Sequence, residues 1–361
     1  MKKSLLALAA MGAFVGAAQA QSSVTVYGVI DKAVSSTTTK TTAAGVTTKV
    51  QNDTTGGSGN GGGGTAPNQN YTTERIGFRG TEDLGGGLRA TFNLEMRIGV
   101  LNSADSGTEA DGLPIRQSNV GLAGSFGSVT IGRQTSLMEG SWGAGNASEL
   151  NNFLGTLYFS GQKFNNSRSD RLVTYASPNF NGFVLAAQYG SNETKTTTTS
   201  ASTAGQDEMA IQLSYAKGPL TVSVTHLKEE AKTANAVSAK PEGTVAGANY
   251  NFGPATAFVT YAQGKNSVPN ATANDRSAYE AGVRVPVTKA ITLQASTYKG
   301  SDKVTAAATK SDVSGFQLSA KYNFSPRTNL YAVVGSDETK NTAAGTKTER
   351  DAFGVGIKHT F

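Results

Sequence analysis

The chain has 361 residues, 43 of them glycine and none cysteine, with 37% hydrophobic residues and a formal charge of +6. Without cysteine neither a disulfide framework nor a thiolate metal site can form, and the scattered basic residues build no nucleic-acid-binding face. So low a hydrophobic content fits either a largely disordered secreted chain or a barrel whose inner wall faces water. Periodicity separates the two.

The first twenty residues read as an export signal. Lys2 and Lys3 precede the apolar stretch Leu5 to Val15, broken only by Gly12, and Ala18-Gln19-Ala20 is the expected cleavage site. The apolar run is shorter than the ~20 residues a membrane-spanning helix needs. Residues 1–20 are therefore expected to be removed, leaving 21–361 as a single barrel domain with no second apolar run of that length.

Leu88 to Ile98 settles the secondary structure. Leu88, Ala90, Phe92, Leu94, Met96 and Ile98 alternate with Arg89, Thr91, Asn93, Glu95 and Arg97. Successive side chains of a strand point to opposite faces, so this segment has one apolar and one polar face. Similar alternation recurs at Met209–Ala216, Leu220–Leu227, Ile291–Tyr298 and Phe353–Phe361. The connections alternate too. Seven are short and carry Gly or Pro turn chemistry or a similarly tight sequence, near residues 83–87, 124–127, 177–182, 217–219, 252–254, 287–289 and 324–327. Eight are long and rich in Thr, Ser, Gly and charge, near 37–70, 99–112, 135–167, 192–207, 230–241, 266–275, 300–311 and 339–348.

Fifteen connections imply sixteen strands. An even number of antiparallel strands with short turns at one rim and long loops at the other is the pattern of a transmembrane β-barrel. A barrel leaves no unpaired sheet edge in lipid. Many Tyr and Phe residues fall near strand ends and are expected to form interfacial girdles, among them Tyr27, Tyr175, Tyr261, Tyr279 and Tyr331.

Specific segments resemble the Gram-negative general porins, in particular the trimeric porins of β-proteobacteria. They are Ser23–Asp31, Arg75–Leu88, Val120–Leu122, Ile131–Gln134, Tyr175–Pro178 and Gly356–Phe361, in that order. The resemblance implies an outer-membrane, water-filled channel for passive diffusion of small ions and hydrophilic solutes. It also implies a homotrimer set among bilayer lipid and lipopolysaccharide, with no cofactor and no nucleic-acid partner. The terminal aromatic Phe361 looks like the signal read by the barrel assembly machinery. In that family the third loop folds inward and faces a cluster of arginines. Here that loop is Thr135–Ser167, carrying Glu139 and Glu149, and the matching wall positions are Arg75, Arg116 and Arg168. Strand parity places Arg75 and Arg79 opposite lipid-facing Ile76 and Phe78, and places Arg168 and Asp170 opposite Val173 and Tyr175. Arg116 shares phase with Val120 and Leu122 and needs a bulge to reach the lumen. The expected result is weak anion selectivity.

Two other functions fit the sequence less well. An outer-membrane enzyme would need a triad or metal cluster, yet the two histidines, His226 and His359, fall on the lipid-facing phase without partners at triad-like spacing. A structural or adhesive surface barrel would be narrower than sixteen strands.

Overall fold

The computed structural model describes residues 23–55, 74–98, 115–145, 168–196, 202–233, 236–267, 274–304 and 309–361. The export signal lies outside them. The first strands are β1 (Ser23–Ala43), β2 (Val46–Thr55), β3 (Arg75–Gly85), β4 (Leu88–Arg97), β5 (Ile115–Gly124) and β6 (Gly127–Thr135). One helix, α1 (Leu137–Gly145), follows, then β7 (Arg168–Ala176), β8 (Phe183–Thr196), β9 (Ser202–Lys217), β10 (Leu220–Thr233) and β11 (Ala236–Asn251). The sheet is completed by β12 (Thr256–Ser267), β13 (Asn274–Pro286), β14 (Ile291–Val304), β15 (Thr309–Asn323), β16 (Thr328–Asn341) and β17 (Thr346–Thr360).

All seventeen belong to one antiparallel sheet. From β3 onward each strand pairs with the next, and β17 returns to β1 from Val29–Thr360 to Ala43–Thr346. The lower half of β1 pairs with β3 and its upper half with β2. The closed ring therefore has sixteen strands, with β2 stacked above β3 in a single column. Between them the amide of Asp31 has no strand to bond, and the buried carboxylate of Glu74 accepts it at 3.0 Å and Lys32 Nζ at 2.9 Å.

Alternation fixes which face is wet. On β4 Phe92 and Leu94 are exposed outward, while Glu95 is buried inside. Aromatic rings settle the close approach of strands by lying over glycines: Tyr27 on Gly77, Tyr298 on Gly315 and Tyr331 on Gly356. Any side chain at these glycines would collide with the ring.

The extent of the strands and the place of two aromatic rings differ from the expectation. Much of the expected loops is strand: 37–55 is a hairpin, and β9, β10, β11, β14, β15, β16 and β17 run into the segments read as connections. Threonine favours extended backbone, but where the buried face is itself Ser and Thr, as at Ser35, Thr37 and Thr39, the strand shows no apolar alternation. The girdle also loses two members. Tyr331 is 1% exposed and donates to Asp31 at 2.5 Å, and Tyr27 donates to Asn93 and Glu95, so both rings lie on the lumenal side. Exposed rings do mark the short-turn rim, where Phe183–Tyr215, Tyr250–Phe252 and Tyr322–Phe324 pair at 4.6, 4.6 and 5.1 Å.

Candidate functional site

The segment after β6 turns inward. Ser136 caps α1, its Oγ accepting from the amide of Met138 at 3.2 Å, and Glu139 occupies the first turn, where the helix dipole favours a carboxylate. Met138, Ser141 and Gly145 form the buried stripe of the helix. Met138 packs with Ala210, Leu227, Val245, Ala262 and Ala278, all on the lumenal phase of β9–β13. Ser141 Oγ lies 2.7 Å from Ser223 Oγ and 2.6 Å from Thr225 Oγ1. Gln212 and Asn249 donate to the carbonyls of Leu137 and Ala144. Gly145 meets Gly247 so closely that a Cβ on Gly247 would stand 1.9 Å from the Ser141 carbonyl oxygen. A nine-residue helix with three glycines has poor intrinsic stability; the wall supplies the rest.

Facing it are the arginines. Glu95 on β4 sits between two of them, with Arg116 Nε at 2.6 Å and Arg75 Nε at 3.6 Å. Arg116 reaches Glu95 through a bulge. Glu95 pairs with Gln117 and Met96 with Ile115, leaving Arg116 as the extra residue, 6% exposed. A bulge turns two neighbouring side chains to one face, which reconciles Arg116 with outward-facing Val120 and Leu122. Arg168 opens β7 and its guanidinium lies 3.6 Å from Glu139 of α1. Arg79 lies over the Tyr27 ring, 5.1 Å from its centroid. Glu149 lies outside the described residues.

Asp170 is a correction. Between Gly132–Leu172 and Gln134–Ser169 the register shifts, and Arg171 adopts φ 58°. The extra residue breaks parity along β7. Asp170 instead binds Arg133 at 2.8 Å, on the phase of outward Ile131, while Ser169 turns inward and donates to Glu208 at 2.5 Å. The parity argument for Arg168 fails with it; its contact with Glu139 does not depend on parity.

Sequence reasoning passed over Glu95 and Arg97. Both were read as ordinary polar-phase residues, yet Glu95 joins two arginines and Arg97 stands opposite Arg75 in the ladder. The available signal was a carboxylate between cations at the loop-side end of a faultless alternating strand. In this cluster Arg75, Arg116 and Arg168 face Glu95 and Glu139.

A family model for the Gram-negative porin matches residues 7–342. The outer membrane porin protein 32 of Delftia acidovorans is 33% identical over 261 residues, 71% of this chain and 67% of the relative. An anion-selective porin from Comamonas acidovorans superposes with a TM-score of 0.66 at 24% identity, covering 94% of this chain and all of that one. OmpT of Vibrio cholerae, solved in a trimer form, superposes at 0.64 with 14% identity, over 94% and 99% of the two chains. The barrel is an outer-membrane channel for passive diffusion, not an enzyme. The chain belongs to the Gram-negative porin family.

Proposed function

We propose that this passive channel prefers anions weakly, and that Arg75, Arg116 and Arg168, with Glu139 opposite, form its constriction. The observation that carries the reading is the excess of guanidinium over carboxylate on the lumenal side of β3–β5 and β7, facing a helix seated inside the wall. A low-dielectric wall focuses such a field into the water column and raises the local concentration of counter-ions. The similar structure from Comamonas acidovorans is of an anion-selective porin, which agrees with this sign.

The reversal potential in a planar bilayer under a salt gradient measures the preference. It should carry the anion sign and shrink toward 1 M salt, where the Debye length is ~3 Å. An Arg75→Ala, Arg168→Ala double variant should move it toward cations. Cation selectivity in the wild type, or an unchanged potential in the double variant, would sink the assignment.

The same reading makes the protein a homotrimer. The pairs Lys32–Glu74 and Arg133–Asp170 lie on the outward phase of β1, β6 and β7, with Lys32 between Ile30 and Val34. Charge costs several kcal/mol against hydrocarbon, so another subunit suits this arc better than lipid. Lipopolysaccharide borders the remaining wall. Residues 1–20 serve as the cleaved export signal. Phe361, whose ring covers Gly28 and whose amide and carbonyl bond that residue, is the element read by the barrel assembly machinery.

A further inference from the structure

The outer wall changes character along one arc. On β10, β12 and β13 the outward side chains are apolar, Val224, Val259 and Val283 among them, and the band ends on Tyr261 and Tyr279, which oppose each other and are 44% and 43% exposed. One step toward the long loops the outward positions turn small and polar. Gln263 opposes Ser277, Ser277 opposes Ser301, and Thr244 stands on the neighbouring strand. So little side chain on adjoining strands dishes the wall, and a groove of about 410 Å³ opens there. His226, bonded through Nδ1 to Thr244 Oγ1 at 2.9 Å, closes one end.

A further step outward the rim is charged with alternating sign. Glu242 opposes Lys265, Lys265 opposes Asp275, and Asp275 opposes Lys303. The ion pairs formed nearby run elsewhere, Lys240 to Glu230 and Arg276 to Asp302.

We propose that this groove seats the phosphorylated sugar headgroup of an outer-leaflet glycolipid. Lys265 and Lys303 pair with phosphate, a charge-assisted bond stronger than a neutral one. Ser277, Ser301 and Gln263 meet the sugar hydroxyls, and Glu242 and Asp275 accept from others. The acyl chains run down the apolar wall past Tyr261 and Tyr279, rings suited to the headgroup boundary. A polar groove continuous with an apolar wall selects an amphiphile; a soluble sugar phosphate would engage only the upper part. The proposal rests on reading the chain as an outer-membrane porin bordered by lipopolysaccharide.

The test measures bisphosphoryl lipid A retained by the full-length protein in nanodiscs, by native mass spectrometry after detergent washing. The wild type should retain it, Lys265→Gln, Lys303→Gln should lose about tenfold in retention, and Lys265→Arg, Lys303→Arg should restore it. Ser301→Tyr fills the groove without changing charge and should lose retention likewise. Single-channel conductance should stay at the wild-type value in every variant, because the groove lies outside the lumen, and that readout confirms folding. Equal retention by wild type, Lys265→Gln, Lys303→Gln and Ser301→Tyr would overturn the groove and leave lipopolysaccharide contact elsewhere on the wall intact. No retention by the wild type would overturn both. Displacement by glucosamine 1-phosphate as effective as by lipid A would overturn the lipid as occupant.

Discussion

Two arcs of the same wall solve opposite problems. The arc β3–β7, which carries the arginines, is built of strands of 9 to 11 residues and has register shifts at Asp83/Gly85, Glu95/Met96 and Gly132/Gln134. The arc β9–β12, which seats α1, uses strands of 12 to 16 residues, with one shift at Ala231/Lys232, well beyond the helix. One of these irregularities turns a charge into the lumen: the bulge at Arg116 does what parity forbids. Regularity falls where a flat surface is needed, so that small residues at fixed spacing can accept a helix. The charged arc is positioned by breaking the ladder and the seating arc by keeping it.

The sharpest way to break this contrast is Arg116→Ala. Arg116 and Glu95 are 7% and 5% exposed at the side chain, so truncation leaves a buried carboxylate with its shortest ion pair gone and Arg75 and Tyr27 still beside it. Loss of one partner of a buried pair costs about 3–5 kcal/mol, and thermal unfolding in detergent should fall accordingly, with Glu95→Gln on the same background recovering most of it. The seating arc should respond differently. Gly247→Val pushes a side chain into the Ser141 carbonyl, an overpacking cost of about 1–3 kcal/mol. It should appear chiefly as a larger, noisier single-channel conductance as α1 leaves the wall. The smallest effect belongs to Ser136→Ala, which removes the helix cap for about 1 kcal/mol. Open-channel noise should rise with little change in melting temperature. Were Gly247→Val to unfold the barrel outright, the division between wall and seat would be wrong.

Legibility in the sequence followed solvent. Where one face meets lipid and the other water, as along Leu88–Arg97, alternation is complete and the ring of sixteen could be counted from its turns. Where both faces are polar the signal disappears, even though Ser35, Thr37 and Thr39 are buried, which is why the threonine-rich hairpin β1–β2 reads as a loop. The helix was hidden for another reason: Gly140, Gly143 and Gly145 argue against helix locally, and only the lumenal wall of β9–β12 makes the segment stable. Parity placed Arg75 and Arg79 on the polar phase and failed beyond Arg171, whose left-handed backbone shifts every residue before it. Such a bulge leaves no mark in a single sequence, so alternation alone puts Asp170 on the wrong face. At Arg116 the need for a bulge is legible, because its neighbours Val120 and Leu122 face outward unambiguously.

The seam between β1 and β17 joins residues as far apart as Val29 and Thr360. Closing a loop of that length costs only about 5 kcal/mol, because the entropy grows with the logarithm of its size. Against it stand fifteen residue pairs, from Val29–Thr360 to Ala43–Thr346. The alternative, a sheet with two raw edges in hydrocarbon, leaves a row of backbone groups unbonded on each side. Partial insertion is therefore not a resting place for this chain. The two edge strands enter the bilayer as neighbours, or the sheet does not enter.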